Sequence, residues 1–237
     1  MKWSQFFTSS VGKKFVMSLT GLFLVSFLVI HVGLNACIWN DLYSEDNGEM
    51  FNKSAHFMGS TVVIRIMEWG LFAGFILHII QGYVLESKNL SRRGKGYAIN
   101  PANKTSRWYS RSMGLLGTLL FLFLIMHVSH FWIPSRFGGM GSVQPLAEVE
   151  YNGKLYHNLY AKMLDVFQNP IVVILYVLGC ISLAYHLAHG FHSAFRTLGV
   201  HNNRYLTMLK SVGVWFAIIV SLAFAMMPVS MYFGWVD

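Results

Sequence analysis

The chain has 237 residues, of which 54% are apolar and only 12% charged, and its formal net charge is +8. A soluble domain carries roughly a quarter charged residues, so this composition excludes an aqueous surface and requires most of the chain to face lipid. The positive balance follows from a topological asymmetry of charge and does not imply a nucleic-acid partner.

Crossing a bilayer takes about 20 predominantly apolar residues. The first segment that satisfies this runs over 15–38 and carries His31 and Cys37. Lys13 and Lys14 precede it, and Leu34, Asn35, Ala36 and Cys37 loosely resemble a lipoprotein cleavage site. The apolar run is too long for a signal peptide and Asn35 fits poorly, so the segment reads as a retained span. The second span, 62–85, holds Arg65, Glu68, Trp69 and His78. A basic loop from Glu86 to Arg111 leads to the third span, 112–134, with His127 and His130. The longest connection, Ser135 to Asn169, follows. In it Leu155, Tyr156, Leu159, Tyr160, Met163, Leu164 and Phe167 recur with helical period, which predicts a short helix lying on the membrane surface. The fourth span, 170–195, carries Cys180, His186, His189 and His192, and the fifth, 206–233, carries no histidine. Backbone polar groups in lipid must be satisfied within each segment, so all five spans are expected to be helices. The predicted fold is an all-α bundle of five transmembrane helices forming one integral membrane domain over 1–237, multi-pass in the inner (cytoplasmic) membrane.

Basic residues set the orientation. With the amino terminus inside, Lys2, Lys13, Lys14, Lys88, Arg92, Arg93, Lys95, Lys104, Arg107, Arg111, Arg196, Arg204 and Lys210 are cytoplasmic, which is 13 of the 18. Asp41, Glu45, Asp46, Glu49, Glu148, Glu150, Asp165 and Asp237 fall on the other side. The positive-inside rule therefore predicts a cytoplasmic amino terminus and an outside carboxyl terminus.

Four spans contain one deep histidine each: His31, His78, His127 and His186. An imidazole in hydrocarbon needs a partner, and four of them suggest two metal centres, each held between two helices. Measured from each span's midpoint at about 1.5 Å per residue, every one lies roughly 7 to 8 Å toward the carboxyl end of its helix. Because the helices alternate in direction, His31 and His127 lie in the outer half and His78 and His186 in the inner half. Two haems held this way would be separated vertically by about 15 Å. Two axial histidines leave no open coordination position, which favours electron transfer over oxygen chemistry. No Cys-x-x-Cys-His is present, so haem would be of the b type, held by axial ligands and packing.

Small residues accompany the histidines. Gly74 and Gly82 flank His78 at four residues, Ser182 and Gly190 flank His186, and Gly21 and Gly117 sit ten residues before His31 and His127. They would leave a flat strip for a porphyrin, although small residues in membrane helices also serve close helix packing. His130, His189 and His192 lie nearer the surface and read as partners of haem propionates or as interfacial residues. Cys37 and Cys180 read as packing residues, with no disulfide expected.

The stretch from Ser10 through Val11, Gly12, Lys13, Lys14, Phe15, Val16, Met17, Ser18, Leu19 and Thr20 to Gly21, followed by Phe27 to Asn35 around His31, resembles the opening of a known family. Further matches surround His78 (Leu77 to Gly82), His127 (Met126 to Trp132) and His186 (Tyr185 to Phe191). The family is the dihaem cytochrome b membrane anchor of succinate:quinone oxidoreductases, of the single-anchor type found in menaquinone-linked succinate dehydrogenases and fumarate reductases. The resemblance extends over nearly the whole chain. It implies that His78 and His186 bind the haem nearer an iron-sulfur subunit and that His31 and His127 bind the distal one. It also implies a cytoplasmic flavoprotein, which would carry the dicarboxylate site, and an iron-sulfur protein. The chain itself would then be the electron-transfer subunit of the enzyme. The basic loop from Glu86 to Arg111 is the expected dock, or else a contact for anionic lipid headgroups.

Glu68 is the one acidic residue within a predicted helical span. An intramembrane carboxylate is a functional candidate, here as proton acceptor or donor for quinone; the alternative is a helical i,i+3 pair with Arg65. In the family, menaquinone is thought to react near the distal haem. Some fumarate reductases of the family carry a glutamate two residues before the ligand of the fourth span; here Ala184 stands there, so no proton path of that kind is expected. A cytochrome b of the quinol:cytochrome c reductase type would place two histidines on each of two helices. A hydrogenase or formate dehydrogenase anchor shares the electron-transfer role, and a proton-coupled transporter is the non-redox alternative.

Overall fold

A computed structural model describes residues 9–44, 46–93 and 111–236 of the protein. Five helices are long and apolar enough to cross a membrane. The first, α1, spans Ser10–Asn35. It starts earlier than the apolar run because Ser9 Oγ accepts the amide of Gly12 at 3.0 Å, a cap that draws Lys13 and Lys14 into the helix. A 3₁₀ turn, Ala36–Asn40, and the short α2, Asp41–Ser44, follow.

Between the first two spans lies α3, Glu49–Ser60, which hydropathy alone did not foresee. The second long helix, α4, spans Val62–Arg93 and outruns its apolar stretch, since Glu86 and Lys88 can continue a helix beyond hydrocarbon. The third is α5, Met113–His127, continued by a single π turn at Val128–Trp132 and by α6, Ile133–Phe137. Pro134 has no N–H to donate to the carbonyl of His130, and the helix widens in the turn that leads to it.

The connection between the third and fourth spans differs from its expected form. Leu155 and Tyr156 belong to a strand, not a helix: β1, Glu148–Tyr151, and β2, Lys154–His157, form an antiparallel hairpin pairing Glu148 with His157 and Tyr151 with Lys154. Asn152 and Gly153, with φ of 53° and 77°, close it in the left-handed two-residue turn that matches strand twist. The helix proper is α7, Leu159–Phe167, capped by Asn158 Oδ1, which accepts the amide of Ala161 at 2.9 Å. The last two long helices are α8, Pro170–Thr197, and α9, Asn203–Tyr232. Of the basic loop expected between the second and third spans, residues 94–110 lie outside the described residues, as do Lys2, Glu45 and Asp237.

The chain divides into two compact units, and each of the five long helices contributes to both. Unit 1 comprises Met1–Phe27, Gly70–Leu120 and Ser182–Ile219, and unit 2 comprises Leu28–Trp69, Phe121–Ile181 and Val220–Asp237. In unit 1 the helices meet through small side chains. A Cβ on Gly74 would stand 2.9 Å from the ring of Phe23, and Ser182 Oγ donates to the carbonyl of Leu116 at 3.1 Å. In unit 2 the core is aromatic and aliphatic, with Ile38, Phe51, Phe131, Tyr160, Met163, Phe167, Tyr176 and Met231 packed together.

One polar residue organises the connection between the third and fourth spans. Asn52 is fully buried; its Nδ2 donates to Tyr151 Oη and Asn158 Oδ1 at 3.1 and 3.0 Å, and its Oδ1 accepts the amide of Tyr160 at 3.0 Å. The hairpin and α7 are thereby tied to α3. Gly48 precedes α3 at φ 75°, where an added Cβ would lie 2.2 Å from the ring of Tyr160, so backbone conformation and close approach both require glycine. The lateral surfaces of the long helices are apolar and open: Ile66, Ile80, Leu122, Leu178 and Ile219 are each more than half exposed. Apolar surface on this scale is covered by lipid.

Candidate functional site: two imidazole pairs

Each unit holds one pair of facing imidazoles, and the two pairs are those that depth and helix direction single out in the sequence. In unit 1, His78 on α4 faces His186 on α8 with ring centroids 6.2 Å apart and planes inclined by 68°. Thr20 on α1 lies behind His78. Its hydroxyl lies 2.9 Å from the carbonyl of Val16, to which it can donate, and 3.2 Å from His78 Nδ1, from which it can then accept. The ring also hydrogen-bonds the backbone of Met17. A proton on Nδ1 shared with Thr20 would leave the Nε2 lone pair to a metal, the tautomer a ligand needs.

The other ring differs. His186 Nδ1 is buried without a hydrogen-bond partner, and so is Oε1 of Gln81, one helical turn beyond His78 on α4. Buried polar atoms are nearly always satisfied, so such orphans beside one histidine pair mark a place built around something other than protein alone. Sequence reasoning passed over Gln81 as part of a motif and missed Thr20. The glycines expected at this depth are present: a Cβ on Gly21 would stand 3.3 Å from Cε1 of His78, and one on Gly117 would stand 3.9 Å from Cε1 of His186. Gly82 meets only the Met17 methyl at 3.7 Å, Gly190 has nothing within 4 Å, and Gly74 and Ser182 contact neighbouring helices. His189 is half-buried on α8.

In unit 2, His31 on α1 faces His127 on α5 with centroids 5.7 Å apart and planes at 87°. Aromatic rings enclose this pair. Phe123 stacks on His127 at 5.7 Å and 21°, and Phe224 lies 5.5 Å from His31. Gly179 makes room for this, since a Cβ there would stand 2.5 Å from the Phe123 ring. Asn35 Nδ2 donates to the carbonyl of His31 at 2.8 Å and lies 3.3 Å from its Nδ1. His127 Nδ1, like that of His186, is buried without a partner. His130 turns aside, with Nδ1 3.0 Å from Tyr176 Oη and the two rings parallel within 6°.

No known protein family, curated protein or solved structure matches the chain. The chemistry must be argued from these side chains. An imidazole nitrogen binds a first-row metal at about 2 Å, so two rings bonded to one atom from opposite sides have centroids roughly 6 Å apart. The observed 6.2 and 5.7 Å fit that spacing. Within each pair one Nδ1 has a polar neighbour, Thr20 or Asn35, and the other has none.

Glu68 also lies in unit 2, and its ion pair is not the one expected from sequence. Instead of Arg65 it engages Arg136 of α6, through Nε to Oε1 at 3.1 Å and Nη2 to Oε2 at 2.8 Å. Trp132 Nε1 donates to the same Oε1, and Arg136 Nη1 donates to the carbonyl of Gly59 at 3.2 Å. The carboxylate thus accepts from a fork and an indole, and the cluster joins α4, α6 and the end of α3. Both cysteines are free thiols.

Proposed function

We propose that the protein is a membrane-anchoring dihaem cytochrome b, the electron-transfer subunit of a succinate dehydrogenase or fumarate reductase. The observation that carries this reading is the presence of two facing imidazole pairs, each at bis-ligand spacing. The residues present fit the group. His78 and His186 would hold one haem b, and His31 and His127 the other; bound there, haem would supply a one-electron carrier.

The protein's own contribution is orientation, proton placement and exclusion of water. Thr20, 3.2 Å from His78 Nδ1, is the proposed acceptor for the Nδ1 proton, which would leave Nε2 to the iron. Gly21 and Gly117 keep side chains away from the two ring edges. Phe123, Phe131 and Phe224 surround the second pair with hydrocarbon, which excludes water from it. His130, bonded to Tyr176, is assigned to positioning and not to axial ligation.

Electrons would pass between an iron-sulfur subunit on the cytoplasmic side and menaquinone in the membrane, with the dicarboxylate chemistry on a partner flavoprotein. The cell inner membrane is the matching location. Glu68 is the proposed proton acceptor or donor for the quinone. Arg136 and Trp132 hold its oxygens with three hydrogen bonds, two to Oε1 and one to Oε2, which leaves a lone pair on Oε2 to take up a proton.

The test is a reduced-minus-oxidised spectrum of the purified chain with haem quantified per polypeptide. The reading expects b-type bands and two haems. A colourless protein of full helical content would overturn it.

A further inference from the structure

A basic pocket in unit 1 has neither His78 nor His186 in its lining. Its cavity, about 330 Å³, is lined by Val11 and Lys14 from the first turns of α1 and by Ser193, Arg196, Thr197 and His201 from the end of α8 and just beyond. Gly199, at φ 102°, ends α8 in a left-handed residue and turns the chain so that His201 joins the lining. Two cations, a histidine and two hydroxyls line the pocket, with no acidic residue among the described lining. Thr197 Oγ1 already donates to the carbonyl of Ser193 at 2.9 Å and can only accept further. The donors left for a ligand are Lys14, Arg196, the Ser193 hydroxyl and His201.

We propose that this pocket binds the phosphate of an anionic phospholipid headgroup. The charge selects an anion, and an arginine fork beside a lysine suits phosphate oxygens. Position selects the source. The pocket is built where one apolar span begins and another ends, the depth at which a bilayer presents its headgroups, and Val11, 69% exposed, offers an apolar edge to the glycerol and first acyl carbons. Free phosphate shares the headgroup chemistry but gains nothing from that apolar edge. The proposal does not depend on the haem reading.

Native mass spectrometry of the full chain, released from micelles containing phosphatidylglycerol, tests it. The expected result is one retained phosphatidylglycerol, with affinity falling roughly fivefold for Lys14→Gln or Arg196→Gln and more for both together. Lys154→Gln in unit 2 should change nothing. Ser193→Leu, which fills the cavity and leaves both charges, should also weaken retention, and circular dichroism identifies any variant that fails to fold. Equal retention in the folded double variant would overturn the proposal. So would displacement of the lipid by an equal concentration of inorganic phosphate, which would mark a general anion pocket. Loss of a haem from the double variant would assign the cations to a haem carboxylate and would equally refute the lipid site.

Discussion

Thr20→Val is the sharpest single perturbation of the His78–His186 pair. Valine has nearly the shape of threonine, and the hydroxyl's own donated bond is to Val16 within the same helix, so α1 should persist. What is lost is the acceptor 3.2 Å from His78 Nδ1. A neutral hydrogen bond contributes about 1 kcal/mol net, and a charge-assisted one roughly twice that. The ring carries more positive character when the bound iron is oxidised, so the bond is stronger in that state by about 1 kcal/mol. Tenfold in a one-electron equilibrium is about 59 mV, so removing the bond should raise the midpoint potential of the His78–His186 haem by roughly 40 mV. Thr20→Ser should restore it. Potentiometric titration of the two haems reads the outcome. A shift confined to the other haem, or none in either, would refute the argument that the Thr20 hydroxyl sets the His78 tautomer.

Breaking the clasp around Glu68 should cost stability before it costs colour. Arg136→Gln removes the ion pair of a half-buried carboxylate and leaves it the Trp132 indole, so it should destabilise the protein by on the order of 1 to 2 kcal/mol in thermal melts, while the pair Glu68→Gln with Arg136→Gln should cost clearly less than the sum of the singles. Glu68→Gln alone should slow quinone turnover with both haems retained; unchanged turnover would count against its proton role. Asn52→Ala removes three hydrogen bonds at a fully buried site, and a loss of about 3 kcal/mol with faster proteolysis between Glu148 and His157 is expected. Gly179→Ala should push Phe123 off His127 and alter the spectrum of the second haem only.

The five spans were legible in the sequence because the requirement for about 20 apolar residues is severe and local. Their ends were less so. α4 continues past Leu85 as a polar helix, and a cap at Ser9 starts α1 before its hydrophobic run, neither of which hydropathy weighs. Between the third and fourth spans a helical period extends back through Leu155 and Tyr156, although Asn152 and Gly153 signal a hairpin; two alternating strand residues run by chance into the true helix at Leu159. The hairpin and the start of α7 are tied to α3 by one buried asparagine, a contact across about a hundred residues that no local pattern announces.

For the site, the four histidines and their depths stood out because polar residues are rare in hydrocarbon. Their supports did not. Thr20 is one of several hydroxyls in apolar helices, and only the direction of its donated bond distinguishes it. Glu68 was conspicuous as a charge, but its partner Arg136 lies 68 residues away, whereas sequence offered the nearer Arg65. Ser182 shows the converse: flanking a candidate ligand at helical spacing, it serves helix packing through Leu116.

The central claim is that each imidazole pair holds one haem, and haem stoichiometry with redox titration in single-histidine variants tests it most directly. His78→Ala and His186→Ala should each lose the same haem and keep the other at its original potential, and His31→Ala and His127→Ala should lose the second. Loss of one shared haem in His31→Ala and His78→Ala, or retention of both haems in any of the four, would contradict it.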